Sequence, residues 1–404
     1  MAIRVSSSSL LTDEEPQNQP TKCWSWSIFP MIIWMRILGV DLREISADSS
    51  VQRHHRWLMF LYSGFCFLCH LAGQIDILYY LQRNQKQGSL ERSGGLHFDT
   101  STAAWNAVID FVNYALHGIG THVIMLTVVR KRWMDLMDTF HRSKDVFTHD
   151  KYIQIRKIAT FGVAYVIFLI LGLISVSIGY HWAEGTSTRH RIFISFMSTI
   201  SIIYPLTAIV IFVIHCYVSS LLFESIQSQI IQCEIQLLNG RDEDVRFLLF
   251  TLKERHILAC DTVDGINRCF GWTLLLSVIF FFVAVINSSF YLFGLDNRIS
   301  LPDVTFTVFS LTHLTLLCFT ADRVQIKAED VITELYRLKC DEPLKGSQMQ
   351  LMNSLVWEMA KTIPRISANS YFNVSKRLFP QVIGTMMTYS FILFQFEASE
   401  KNAD

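Results

Sequence analysis

None of the short motifs that mark a metalloprotease, a serine hydrolase or a nucleotide-binding enzyme (HExxH, GxSxG, a glycine-rich phosphate loop) occurs in the 404 residues. The acidic residues are scattered through loops as solvated faces, so no enzyme is expected, and no cofactor or bound metal ion. An excess of charge of one sign is missing too. Lys and Arg number 35 against 35 Asp and Glu, which gives no basis for a nucleic-acid partner. Residues 1–22, with SSSS and DEEPQNQP, lack the apolar core of a signal peptide and read as a disordered tail.

What is present is apolar sequence in long blocks. Hydrophobic residues make up 51% of the chain, aromatics 13%, and the mean hydropathy is +0.31, a composition of a polytopic membrane protein. Spans are expected at 57–82, 104–129, 159–180, 192–222, 270–294, 303–320 and 380–397, each long enough for a hydrocarbon core of about 30 Å. Of the 35 cations, 28 lie before the first span or after the second, fourth and sixth, against seven on the other side. The positive-inside rule then puts the N-terminus in the cytosol and, after seven spans, the C-terminus outside. The cluster Arg130-Lys131-Arg132, abutting the second span, carries most weight in that assignment. No cysteine lies in an outer loop, so no outer disulfide is available, and the CxxC of Cys66 and Cys69 inside an apolar span reads as small packing residues.

The two long segments on the cation-rich side carry helical periodicity. Ile226, Ile230, Ile231, Ile235, Leu237 and Leu238 recur at three to four residues before Asn239-Gly240, and Val324, Ile326, Val331, Ile332, Leu335 and Leu338 do the same. The transmembrane helices are therefore expected to run on into the cytosol and pack there, as a subunit-joining anchor or as a simple cap.

The last span, Gln381 to Phe396, is free of charge and carries its own pattern. Gln381, Thr385, Thr388, Gln395 and Ser399 fall on one helical face, interrupted only by Ile392. Several such helices around an axis would make a pore, with Ile392 or Phe396 as a hydrophobic constriction; a terminal helix buried in a bundle would show the same spacing. Just beyond, Glu397 and Glu400 would form a cation-concentrating ring or a solvated tail.

Candidate ligand contacts lie where the second to sixth spans reach the outer side. The second span offers Trp105, Asn106, Asp110 and Asn113, and the third ends in Tyr180, His181 and Trp182. The fourth adds Ser198, Thr199 and Tyr204, the fifth Asn287, Ser288 and Tyr291, and the sixth Thr305 and Thr307. An intramembrane Asp110 is a functional candidate by default, or else a partner in an interhelical hydrogen bond, for instance with His181. Rings beside amides and a carboxylate suit a small hydroxylated molecule, although Trp105, Tyr180 and Trp182 equally fit an interfacial aromatic belt. His117, His122 and His313 sit deeper and alone, as satisfied core groups.

The stretch Ser367-Ala368-Asn369-Ser370-Tyr371-Phe372-Asn373-Val374, then Arg377-Leu378 and Gly384 through Thr388-Tyr389 to Gln395-Phe396, resembles the C-terminal signature of insect gustatory receptors. The match covers about thirty residues. The resemblance implies four subunits around a pore lined by the last helix, cytosolic extensions that anchor the tetramer, and a ligand pocket in the outer half of each subunit. By motif match the gate falls on Gln395 and Phe396, with Ile392 one turn below. Several sugar receptors of the family carry an acidic residue after the Thr-Tyr pair where this chain has Ser390, which weakens the sugar branch. The intact Gln395-Phe396 ending disfavours an odorant-receptor-type channel.

The expectation is thus an all-α membrane protein with seven transmembrane helices and a cytosolic anchor of helical extensions. Residues 23–222 hold the first four spans and the pocket half, 223–269 and 321–379 the anchor, 270–320 the fifth and sixth spans, 380–397 the pore helix and 398–404 an extracellular tail. The expected activity is that of a tastant-gated, non-selective cation channel in the plasma membrane of sensory neurons. Its partners are a sugar, polyol or bitter compound, the lipid bilayer, like or related subunits, and permeant cations. A metabotropic seven-helix receptor would need an outer N-terminus, and a transporter would need inverted repeats that the sequence does not display.

Overall fold

The computed structural model describes residues 24–40, 42, 57–75, 100–143, 146–183, 188–238, 242–293, 301–341 and 346–401. The tail 1–22 and the tip 402–404 lie outside them. Two short N-terminal helices, α1 (Trp24–Ser27) and α2 (Phe29–Ile37), precede α3 (Trp57–Ile75) and α4 (Thr100–Ile124). A π-helical turn, Met125–Val129, joins α4 to α5 (Arg130–Arg142). Then come α6 (His149–Ala183), α7 (Thr188–Leu238), α8 (Asp242–Phe293), α9 (Leu301–Asp341) and α10 (Gly346–Lys361). A two-residue hairpin of β1 (Ser367–Ala368) and β2 (Phe372–Asn373) leads into α11 (Leu378–Lys401).

Six described helices are long and apolar enough to cross a membrane, and α11, at 24 residues or about 36 Å, has the length of a seventh. The connections alternate between two ends of the bundle. At one, the rim, α6 and α8 end (Ala183, Phe293) and α7 and α9 begin (Thr188, Leu301); at the other, the base, α7 and α9 end (Leu238, Asp341) and α8 and α10 begin (Asp242, Gly346). The loop expected at Asn239-Gly240 lies outside the described residues. With 51 and 52 residues, α7 and α8 are roughly 75 to 80 Å long, well over twice the hydrocarbon thickness. Long helical extensions past the membrane are therefore built in.

The helix that carries the second expected span runs on beyond it. The helix does not stop at Arg130-Lys131-Arg132 but continues through the π-helical turn into α5, which buries Trp133, Leu136 and Phe140. Likewise α6 starts at His149, ten residues before the expected third span. Lys and Arg are good helix formers, so a cationic cluster marks the edge of the bilayer without ending the helix.

In the centre stands α7, whose apolar stretch is 89% buried and which packs on α4, α6, α8 and α9. By contrast α6 turns Phe161, Phe168 and Leu171 outward, as a lipid-facing helix does. The same core runs on into the base. There Trp24 stacks on Phe140 at 4.5 Å, and His215 and Trp133 pack edge-on at 5.2 Å. Gly39 ends α2 at φ +80°, which lets Val40 N donate to Met35 O at 2.9 Å; a Cβ there would lie 3.2 Å from Cys66 Sγ. That close approach fits Cys66 as a small packing residue.

Candidate ligand cleft and pore-lining helix

Four helices enclose a cleft of about 260 Å³, counting its open mouth. It is lined by Tyr114 and His117 of α4, Leu206 and Ile209 of α7, Phe280 and Phe281 of α8 and Phe309 of α9. The enclosed part has space for about one water-sized molecule, so a larger guest requires side chains to move. Pro205 on the α7 wall cannot donate to the carbonyl four residues earlier, which leaves a weak point in the helix facing the cleft.

The walls are aromatic with a few internally bonded polar groups. The His117 ring lies 4.0 Å from that of Phe280, and Tyr114 stacks on Phe306 at 5.2 Å. Asn113 Nδ2 donates to Phe280 O at 3.2 Å, and His117 Nε2 is 3.2 Å from Ser277 Oγ. His313 Nδ1 lies 2.7 Å from Phe309 O, which can only accept, so the proton sits on Nδ1. Its Nε2 then accepts from Tyr165 OH at 3.2 Å, tying α9 to α6.

Beside the cleft, α3, α4 and α7 meet in a second buried cluster. His70 Nδ1 and His122 Nδ1 are 3.2 Å apart, and Tyr204 stacks on His122 with ring centres 3.6 Å apart while donating to Leu38 O at 3.0 Å. The histidines expected to sit alone are therefore partnered. Long-range pairs such as His70 with His122, or His313 with Tyr165, have no local sequence signal.

On α11 the described side chains divide by face. Val382 and Met386 are buried against the bundle, where α11 packs on α8 and α9, and the Ser390 hydroxyl is enclosed on the same side. Gln381, Thr385, Thr388, Ile392 and Gln395 are all exposed, as are Met387 and Phe391. Thr385 and Thr388 donate to the carbonyls of Gln381 and Gly384 at 2.9 and 3.0 Å, so the open polarity of this stripe concentrates in the two glutamines. Tyr389 of the sequence motif is half exposed. The side chains of Phe396, Glu397 and Glu400 lie outside the described residues.

A model of the 7tm chemosensory receptor family matches residues 35–400. The chain belongs to that family. No curated protein matches it. Its fold is similar to that of the insect olfactory receptor OR5 from Machilis hrabei, with a TM-score of 0.63, and to the same receptor in complex with eugenol, with a TM-score of 0.64. In both comparisons the identity is 14%, and the match covers 91% of this chain and 97% of the other. The chain is thus a multi-pass chemosensory receptor with the all-helical fold of the insect receptors.

Of the expected ligand contacts in this receptor, Asn113 sits at the cleft, Tyr204 belongs to the neighbouring histidine cluster, and Asn287 is buried in α8. The side chains of Trp105, Asn106, Asp110, Tyr180, His181, Trp182 and Tyr291 lie outside the described residues. Sequence reasoning missed the aromatic wall of Phe280, Phe306 and Phe309. In a phenylalanine-rich span an inward ring and a lipid-facing ring look alike.

Proposed function

We propose that this receptor is a gustatory-type, ligand-gated, non-selective cation channel, in which a small molecule entering the helix bundle opens a central pore lined by α11 of four subunits. The observation that carries this reading is the exposed stripe of α11. Polar side chains turned to hydrocarbon are costly, so Gln381 and Gln395 facing away from their own bundle favour a wetted wall shared with like subunits. Ile392 between them supplies the apolar step that a dewetting gate needs. Like subunits would also cover Phe247, Phe250 and Trp357, large exposed side chains on the base extensions.

The ligand reading shifts from a polyol towards a ring compound. A cleft walled by Phe280, Phe281, Phe309 and Tyr114 offers stacking surfaces, while its polar groups are spent on one another. Eugenol, in the structure of OR5, is a ring compound of this kind. Enclosure of Ser390 on the packed side of α11, where an acidic residue would meet the bundle, also favours a bitter-type ligand over a sugar. Expression in the plasma membrane of sensory neurons, with the N-terminus cytosolic, completes the proposal. The test is expression of the chain alone in cultured cells, with epitope tags at both ends and a panel of sugars, alkaloids and phenols. Calcium entry and current on adding a ring compound are expected; an outer N-terminus, or responses that need a G protein, would overturn the reading.

A further inference from the structure

The segment between α10 and α11 is held by the helices that wall the cleft. Val374 N donates to Ile366 O at 2.9 Å, and the strands pair Ser367 with Asn373 and Ala368 with Phe372. Tyr371 N closes the turn onto Ala368 O at 3.0 Å. Its central residues, Asn369 and Ser370, sit at φ +49° and +65°, the left-handed geometry of a type I′ turn that a serine adopts only at a cost.

Contacts from α8 stabilise that strained turn. The Asn267 side chain acts as a surrogate strand, with Nδ2 donating to Arg365 O at 2.8 Å and Oδ1 accepting from Ser367 N at 2.9 Å. One helical turn further on, Gly271 lets the turn lie on the helix backbone. A Cβ at that position would be 2.9 Å from Asn369 N and 3.1 Å from Asn369 Cα. From α9, Asp322 Oδ1 accepts from Lys376 N at 3.4 Å and its Oδ2 pairs with Lys376 Nζ at 3.2 Å, two residues before α11 begins. Ile366, Ala368 and Val374 are all buried beneath.

These anchor points and the cleft share the same two helices. Gly271 is nine residues from Phe280 on α8, and Asp322 is thirteen from Phe309 on α9, about 13 and 20 Å along the two axes. We infer that Asn267, Gly271 and Asp322 are positioning residues that couple the cleft to α11, so that a shift of α8 or α9 is passed through the hairpin to the head of the pore helix. The mechanical link stands on the contacts themselves; its role in gating rests on the channel reading above.

Amide hydrogen exchange on the full-length chain in nanodiscs, without any ligand, tests the link apart from conduction. In Asn267→Ala, exchange should rise roughly tenfold both in the hairpin and across the first two turns of α11. Asn267→Asp, which keeps the acceptor for Ser367 N, should lie between it and the parent. Arg268→Ala, on the exposed side of the same helix, should leave α11 unchanged. Lys376→Met, which breaks the pair to Asp322 from a half-exposed position, provides a second variant that leaves the core intact; it should loosen the first turn of α11. Faster exchange confined to the hairpin, with α11 as protected as in the parent in both Asn267→Ala and Lys376→Met, would overturn the inference. If α11 loosens but no variant or parent passes current, the link stands and the channel reading fails.

Discussion

Phe280 is the side chain on which the cleft depends, and removing it should leave a hole that only a ring can refill. It is 3% exposed and lies within 4.0 Å of the His117 ring, 5.4 Å of Tyr114 and 5.3 Å of Phe281, measured between ring centres. Burial of one phenylalanine together with three ring contacts makes Phe280→Ala cost about 3–5 kcal/mol, the range for large-to-small changes in a packed interior. The void would adjoin the existing cleft and be lined by Tyr114, His117 and Phe281, an apolar space of the sort that accepts benzene. A ring compound at about a hundred times its Kd would then restore roughly 2.7 kcal/mol. The assay is thermal unfolding of parent and variant in detergent, with and without benzene, indole and sucrose. The expected result is a lowered midpoint that benzene or indole raises and sucrose does not. Equal behaviour with sucrose, or a variant as stable as the parent, would refute the placement of Phe280 at the heart of an aromatic cleft.

Three further outcomes follow from the same structure. Phe396→Ala should raise resting current, since a dewetted constriction opens when its side chains are cut back; unchanged basal and evoked currents at parental surface expression would move the gate elsewhere. Asp110→Asn, one turn before Tyr114 on α4, should shift the dose response rightward about ten- to a hundredfold if a charged hydrogen bond to the ligand is lost, and parental potency would make the residue structural. At the base, burial holds His256 down at about 4, with Glu358 opposing, so protonation favours the unfolded chain and stability falls as pH drops below about 6.5. His256→Phe should remove roughly 2 kcal/mol of that loss between pH 7 and 5, read as a smaller drop in Tm; a drop equal to the parent's would contradict it.

Much of this fold was legible because membrane solvent imposes simple rules. Apolar blocks marked six helices long and apolar enough to cross a membrane, and the periodicity around Ile226 to Leu238 marked the extension of α7 past its apolar stretch. The continuation past Arg130-Lys131-Arg132 was missed because charge reports depth in the bilayer, whereas helix propensity decides where a helix ends. The stripe of α11 could be read because polar residues there contrast with their neighbours. The cleft could not, since Phe280 and Phe309 contrast with nothing in spans where core and lipid are equally apolar. The motif from Ser367 to Val374 was recognised as a signature, but its clamp by Asn267 and Gly271, about a hundred residues earlier, exists only in three dimensions.

The most direct test of the account is thiol modification of α11 during current recording. Single cysteines would be placed at Gln381, Thr385 and Thr388 on the exposed stripe and at Val382 and Met386 on the packed face, each in a background stripped of reactive cysteines. A charged thiosulfonate reagent should cut current through the Gln381→Cys, Thr385→Cys and Thr388→Cys channels and spare Val382→Cys and Met386→Cys. Absence of current from the expressed chain, or block that ignores the two faces, would contradict a pore lined by this helix.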